Sequence, residues 1–194
     1  MVDNAANGPS LPISALSADA ATGGIDPTGN SYTFRATATH LKLTRGDGAV
    51  YPEIDGEARV TAVDVGSSLG TNPVTTLRAW LRQGGTVTID RFKVSATGAM
   101  VTLSGKLVLS SKGLLNGTLL VRYNSIDKLA DLVETLRPGT RQKYQVAFDG
   151  LNAVTVAADT EDGPVRQTTV TFTDGVIWLG IFPLPVEPVP PLRF

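Results

Sequence analysis

The sequence contains no cysteine and only one histidine, His40. Because cysteine is absent, disulfides, thiolate metal sites and cysteine nucleophiles are excluded, while the cellular compartment stays open. A zinc site needs several histidine or cysteine ligands, and His40 is the single candidate. A serine-histidine-aspartate triad would also have to use His40. We therefore interpret His40 as an ordinary strand residue, and we predict no enzyme, no metal site and no cofactor.

Charge and long apolar runs are also scarce. Charged residues make up 18% of the chain, below the usual quarter, and the formal net charge is −1. Since no run of basic residues exists, we predict no nucleic-acid partner. No segment approaches the ~18 consecutive apolar residues of a membrane-spanning helix. The opening residues MVDNAANG lack the basic and apolar regions of a signal peptide, so we expect either a cytosolic protein or an export or anchoring segment that lies upstream of this sequence.

The stretch from residue 84 to residue 123 has the alternation of apolar and polar residues that is typical of half-buried strands. It predicts three consecutive antiparallel strands, within residues 84–98, 99–111 and 112–123. The first strand changes phase after Ile89, which predicts a β-bulge near Asp90-Arg91 that curves the sheet. Glycines near both connections favour tight turns. This stretch therefore predicts a curved meander with an apolar inner face.

The flanking regions extend this sheet. Alternation predicts further strands at residues 31–44, 57–65, 165–172 and 176–182. Asp174-Gly175 is the best hairpin turn in the chain and joins the last two. Residues 1–25 are small and polar, so we expect an irregular lead-in, and residues 26–194 form a single domain. The tail, residues 183–194, is rich in proline and is expected to dock along the sheet in an extended conformation.

Helical spacing of apolar residues predicts two or three helices. The first lies near residues 73–83, where Asn72 supplies the N-cap and Pro73 the first helical position. The second lies at residues 126–137 and has an apolar stripe, and a third is a weaker prediction at residues 141–156. The predicted fold class is mainly β (α+β): a curved antiparallel β-meander with two or three helices packed on one face or end.

The acidic residues show no catalytic pattern. One group follows the third predicted helix and consists of Asp159, Glu161 and Asp162. It lacks the twelve-residue spacing of a calcium loop, so we interpret it as a solvated turn. A second group, Asp127, Asp131 and Glu134, lies on the polar side of the second helix, where we expect the carboxylates to face water.

Two segments in combination resemble a known family. The first is LRAWLRQGGTVTIDRFKVSATGAMVTLSGKLVLSSKGLLNGTLLVRY, and the second is VTFTDGVIWLGIFPLPVEPVPPL. Together they resemble the bacterial domain-of-unknown-function 2125 family over roughly residues 30–194. The resemblance implies the C-terminal portion of a protein anchored in the inner membrane or exported, facing the periplasm. It also implies a distant likeness of architecture to AsmA-like proteins, whose curved sheets present an apolar groove to lipid.

The apolar inner face is the candidate binding site, because a site for a lipid needs apolar side chains but no catalytic group. The candidate lining residues are Trp80, Phe92, Val101, Leu103, Leu107, Leu119, Val121, Tyr123 and Trp178. The alternative is that these residues form the core beneath the helices. We expect a non-enzymatic envelope protein that binds a lipid or another apolar ligand on the concave face. A structural or protein-interaction module without a small-molecule ligand is the second expectation.

Overall fold

The computed structural model describes residues 13–45, 50–65, 79–110, 112–136, 138–184 and 189, which form one antiparallel sheet with short helices. The strands are β1 Ile13–Ser17, β2 Ala20–Thr28, β3 Ser31–Arg45, β4 Ile54–Val63, β5 Thr86–Ala96, β6 Ala99–Leu109, β7 Leu115–Tyr123, β8 Val156–Thr160, β9 Gly163–Thr173, β10 Val176–Leu179 and β11 Phe182–Pro183. The helices are α1 Ile126–Leu136, α2 Thr140–Lys143 and α3 Gln145–Val154, and residues 79–82 are also helical. The predicted fold class is confirmed.

The strands follow one another across the sheet nearly in chain order, as β1-β3-β4-β5-β6-β7-β9-β10-β11. β2 also pairs with β3, and β8 also pairs with β9. The two long strands β3 and β9 therefore each have two short strands on their outer edge. β9 joins β7 only after the chain has formed α1, α2, α3 and β8.

Two tight hairpins lie where the sequence predicts them. Thr97 and Gly98, between β5 and β6, have φ values of 50° and 78°, and Asp174 and Gly175, between β9 and β10, have values of 49° and 82°. Two successive residues with positive φ are typical of a type I′ turn, whose twist matches that of the flanking strands. The predicted turn at Asp174-Gly175 is therefore confirmed.

The predicted bulge in β5 is confirmed. Ile89 and Arg91 pair with consecutive residues of β4, so Asp90 is the extra residue of the strand. The register with β6 shifts at the same place, between Ile89 and Phe92. An extra residue on one strand increases the local twist and bends the sheet.

Buried apolar residues lie mainly at two ends of the sheet. At one end, Ala62 and Val65 pack with Trp80 of the helical residues 79–82. At the other end, Tyr123 has no exposed surface, and Ala99 of the neighbouring strand β6 is also buried. α1 contacts β6 at this second end. The helices therefore lie at the ends of the sheet rather than along its whole face.

Three expectations about local structure are corrected. The lead-in is not irregular from residue 13 onward, because β1 and β2 pair with β3 along its full length. The predicted strand 176–182 is broken at Gly180, whose φ of 59° turns the chain back into β11. The third helix exists as α2 and α3, and residues 156–160 of the same stretch are strand β8.

The ends of two other predictions lie outside the described residues. Of the first helix, residues 79–82 are helical, whereas its predicted start at Asn72-Pro73 is not among the described residues. In the tail, the backbone N–H of Leu184 donates to the carbonyl of Ile177, and that of Val189 donates to the carbonyl of Gly175. The described part of the tail thus runs beside β10, as predicted.

Candidate functional site

One face of the sheet is apolar across eight strands, and we call it the apolar face. In an antiparallel sheet, residues paired across strands point to the same side. Three cross-strand rows define the face: Tyr32, Ala62, Val87, Leu107, Gly117, Phe172 and Ile177; Ile25, Phe34, Val60, Ile89, Gly105, Leu119, Val170 and Leu179; and Gly23, Ala36, Ala58, Phe92, Leu103, Val121 and Thr168. A fourth row contains Ala38, Gly56, Val94, Val101 and Tyr123, and it ends at the charged residue Arg166 of β9.

The part of the apolar face formed by β2 to β5 is open to solvent, whereas the β7 and β10 members of the Phe34 row are buried. Phe34 is 45% exposed and Phe92 is 37% exposed, although both lie inside the sheet rather than at its rim. The cross-strand row of Phe92 continues through Ala58, Ala36 and Gly23, so its neighbours toward β2 are small. The aromatic rings therefore stand on a surface of small residues with room beside them.

Both ends of the apolar face are closed. Trp80 is 8% exposed, packs on Ala62, and its indole Nε1 donates to the carbonyl of Val63 at 2.7 Å. The hydroxyl of the fully buried Tyr123 lies 3.1 Å from Oγ1 of Thr155, between α3 and β8. Burial without a hydrogen bond would be costly for either side chain, and both have one. These closures leave an open apolar strip between them.

The nine predicted lining residues separate into three groups. Seven of them share the apolar face: Phe92, Val101, Leu103, Leu107, Leu119, Val121 and Tyr123. Trp80 belongs to the closure at one end. Trp178 pairs with Thr171 and so lies on the opposite face, contrary to its predicted place in the lining. Trp178 stands between Ile177 and Leu179 in β10, and successive residues of a strand point to opposite faces. The sequence therefore contained the information that Trp178 faces away from the apolar face.

Several lining residues were not among those predicted. Phe34 and Ile25 are the most exposed members of the face, and Val60 and Ile89 lie between them and the centre. The alternation of Tyr32 and Phe34 indicated that both residues lie on one face of β3. The sequence of β3 does not show which strand lies beside it, so it did not place these residues on the same face as Phe92.

The opposite face is polar and contains a cluster of ion pairs that we call the Asp162 cluster. Nζ of Lys93 donates to Oδ1 of Asp162 at 2.5 Å, and Nη2 of Arg91 donates to Oδ2 of Asp162 at 2.9 Å. Arg91 also donates to Glu161 at 2.7 Å and to Glu57 at 3.0 Å. The side chain of Asp162 is 14% exposed, so the expectation of a solvated acidic turn is wrong for this residue.

These ion pairs show how the sheet bends. Lys93 and Gln167 lie in one cross-strand row, three strand spacings or about 14 Å apart in a flat sheet. Asp162 lies five residues beyond Gln167, which would place it more than about 20 Å from Lys93. Because the two side chains are in contact, the β8–β9 hairpin folds over the polar face. At this corner the concave side is polar, whereas the sequence predicted an apolar one.

Residues beneath the folded hairpin are buried although they lie on the polar face. Met100, Thr102 and Val165 are each less than one-tenth exposed. The hydrogen bond from Lys93 is the main cause that holds the pKa of Asp162 below its usual range, and the charge of Arg91 acts in the same direction. The carboxylate therefore stays ionised and keeps the hairpin in place over a wide range of pH.

A shallow pocket of 340 Å³ lies on the polar face between β3, β4 and β5. Asp55, Glu57 and Lys93 line it together with hydroxyl groups. Its charged groups already have partners, since Asp55 accepts the backbone N–H of His40 and Lys93 donates to Asp162. The pocket therefore offers a polar ligand little uncompensated charge.

His40 lies at a bulge of β3, where the register with β4 shifts between Ala38 and Leu41. Its Nδ1 is 2.9 Å from Oδ2 of Asp19, and this hydrogen bond is the main cause that raises the pKa of His40. The imidazole is half exposed. The pair has the geometry of a surface ion pair at a strand irregularity.

The sequence Gly66-Ser67-Ser68-Leu69-Gly70 matches the G-x-S-x-G spacing of a nucleophile elbow, which the reasoning from sequence overlooked. These residues lie outside the described ones.

The acidic side of α1 is not fully solvated either. Oε1 of Glu134 accepts the backbone N–H of Gly139 at 2.7 Å, and Oε2 accepts that of Arg141 at 2.8 Å. The bond from Arg141 is the main cause that lowers the pKa of Glu134. Asp131 is paired with the side chain of Arg141. These contacts fix the connection between α1 and α2.

No helix in the described part of the chain is both long and apolar enough to span a bilayer. A family model described as "Uncharacterized protein conserved in bacteria (DUF2125)" matches residues 3–190. No curated protein and no solved structure matches the chain.

Proposed function

The chain belongs to the bacterial family DUF2125, and from that membership and the open apolar face we propose that it is a non-enzymatic protein of the cell envelope that binds a lipid or another apolar ligand. The ligand lies on the apolar face, between the closures at Trp80 and Tyr123. The observation that carries the proposal is the exposure of Phe34 and Phe92 within a face that is apolar across eight strands.

Soluble proteins rarely expose a continuous apolar surface unless it binds something. A hydrocarbon chain gains ~0.8 kcal/mol for each CH₂ group that it buries. A dozen such groups would supply on the order of 10 kcal/mol before the costs of binding are subtracted. An extended chain lying across the strands needs only apolar side chains along its path, and the rows of Phe34 and Phe92 provide two adjacent paths.

Binding of an apolar ligand is tested with delipidated protein and oleic acid, followed by native mass spectrometry. We expect uptake by the natural sequence and at least a tenfold loss of affinity in Phe92→Glu, because a carboxylate on the path of the hydrocarbon would have to be desolvated. Thr118→Glu is the matched control, since Thr118 is an exposed residue of the opposite face. Absence of uptake, or equal uptake by both variants, would contradict the proposal.

The envelope location follows from the family resemblance and needs its own experiment. Protease added to spheroplasts that express the full-length protein digests it if it faces the periplasm. A protein that is protected until the spheroplasts are lysed would contradict the proposed location.

A second candidate function is a protein-interaction module. All nine residues of β2 are exposed, and in the described part of the chain its outer edge pairs with no strand. An exposed strand edge can accept a strand from a partner protein. Gly24→Pro in the middle of β2 would weaken such an interaction while leaving oleic acid uptake unchanged, so the two functions are distinguishable.

A further inference from the structure

Large apolar side chains that are strongly exposed occur in a second place besides the apolar face. Ile181 is 81% exposed and Phe182 is 63% exposed, at the turn between β10 and β11. Val146, Val154 and Val156, in α3 and at the start of β8, are also exposed. We call these five residues the apolar tip.

The two segments of the apolar tip are neighbours in space. β8 and β10 pair with the same edge of β9, where Val156 lies opposite Gln167 and Leu179 lies opposite Val170. Three residues along β9 correspond to about 10 Å. α3 also contacts β10. The two segments therefore lie along one edge of the sheet, where Val156 follows the row of Gln167 on the polar face and Phe182 follows the row of Leu179 on the apolar face.

This region contains very little charge. Residues 175–184 include no charged side chain, and residues 144–158 include only Asp149. Protein interfaces usually have a polar rim that forms hydrogen bonds, and β10 and β11 supply no such side chains apart from Trp178. The backbone on both sides of the turn is paired, because Leu179 and Trp178 lie opposite Phe182 and Pro183, and only Gly180 and Ile181 lie between the paired residues. A paired backbone can enter an apolar medium without leaving hydrogen-bonding groups unsatisfied.

The apolar tip is continuous with the apolar face. Two of the cross-strand rows of that face end in β10, at Ile177 and Leu179. Phe182 pairs with Leu179 and so follows directly on one of these rows. Leu179 itself is buried, whereas Ile177 and Phe172 of the adjacent row are partly exposed. A lipid that left a bilayer beside Phe182 would therefore reach the apolar face along this adjacent row without crossing a polar surface.

We propose that the apolar tip inserts into the surface of a lipid bilayer and that lipid reaches the apolar face from this end. The proposal of insertion rests on the exposed apolar side chains, on the lack of charge in residues 175–184 and on the paired strands beside the turn. The route of the lipid rests on the proposed function. Residues 175–184 contain no cationic side chain, and the guanidinium of Arg166 beside α3 already donates to the carbonyls of Asn152 and Thr155. Binding therefore depends on apolar burial rather than on anionic headgroups.

The test is flotation of the protein with vesicles of phosphatidylcholine, with and without phosphatidylglycerol. We expect the natural sequence to float with both kinds of vesicle to a similar extent. The double variant Ile181→Ser/Phe182→Ser should partition at least tenfold more weakly, since two inserted side chains are lost. Val50→Ser is the control, because Val50 is 66% exposed but pairs with Thr44 of β3, on the other side of the strand order. It should float as the natural sequence does.

Urea unfolding of both variants, monitored by tryptophan fluorescence, ensures that a loss of flotation is not a loss of folding. Insertion is overturned if the natural sequence does not float, or if the folded double variant floats equally well. It is also overturned if the double variant loses only a dimer seen in size-exclusion chromatography. Oleic acid uptake in the absence of vesicles should be the same in the double variant and the natural sequence. If the natural sequence floats with vesicles but takes up no oleic acid, the proposed function and the lipid route are overturned, whereas insertion of the apolar tip is still supported.

Discussion

The contact between the β8–β9 hairpin and β5 should depend on Asp162, and Asp162→Asn is the perturbation that tests it. The side chain is 14% exposed, and those of Arg91 and Lys93 are 26% and 27% exposed. Hydrogen bonds to charged partners contribute about 1.5–3 kcal/mol, whereas fully exposed ion pairs contribute less than about 1 kcal/mol. For this partly buried group we expect a loss of about 2 kcal/mol in the free energy of unfolding.

The assay is urea unfolding followed by fluorescence of the two tryptophans. With a denaturant dependence of about 2 kcal/mol/M, the midpoint of Asp162→Asn should fall by about 1 M. Asp159→Asn removes the same charge from an exposed position of the same hairpin and should leave the midpoint nearly unchanged. Combining Asp162→Asn with Lys93→Met should give a coupling energy of at least about 1 kcal/mol.

The effect should also depend on pH in a defined direction. The pKa of Asp162 is lowered in the folded protein, so its stabilising effect is complete above the ordinary carboxyl range and is lost as the pH falls through the lowered pKa. The difference between the natural sequence and Asp162→Asn should therefore shrink in acid. Equal midpoints for Asp162→Asn and Asp159→Asn at neutral pH would refute the fold-back of the hairpin.

Three further predictions concern other parts of the chain. Tyr123→Phe removes the hydrogen bond to Thr155 and should cost about 1 kcal/mol in urea unfolding; an unchanged midpoint would contradict that bond. The carboxyl group of Glu134 should titrate below its usual range in an NMR titration. Its stabilising contribution, which is absent in Glu134→Gln, should be lost as the pH falls through that lowered pKa. Titration in the usual range would exclude the hydrogen bonds from Glu134 to the start of α2. Gly105→Ala should destabilise the protein by more than about 3 kcal/mol, because the φ of Gly105 is 144° and an added Cβ would lie 2.2 Å from a backbone oxygen. In α3, an added Cβ at Gly150 would meet no atom within 4 Å, so Gly150→Ala should stabilise the protein by about 0.5–1 kcal/mol. Similar midpoints for the two alanine variants would contradict this difference.

Structural features that depend on a few adjacent residues could be predicted from local sequence patterns. The phase change after Ile89 located the bulge of β5, and Asp174-Gly175 located the tightest hairpin. Both features are set by a few adjacent residues, so their chemistry is visible in the sequence. Most of the apolar face was predicted for the same reason, since alternation within one strand determines which of its residues share a side.

Features that depend on distant partners were not predicted. β2 contains Gly23, Gly24 and Pro27, which are poor strand formers, yet it is a strand because it pairs with β3. The contact between Arg91 and Asp162 joins residues 71 positions apart, and no local pattern encodes it. The likeness to AsmA-like proteins stays a prediction, because it concerns architecture that alternation alone does not specify.

The insertion of α1, α2, α3 and β8 between β7 and β9 has a consequence for the order of folding. β5, β6 and β7 are joined by short connections, so they can assemble hairpin by hairpin with little loss of chain entropy at each step, whereas 22 residues separate β4 from β5. β9 can add to β7 only after the intervening segment has closed a loop of roughly 40 residues. We expect the meander to form first during synthesis, with the β7 edge waiting unpaired until β9 arrives.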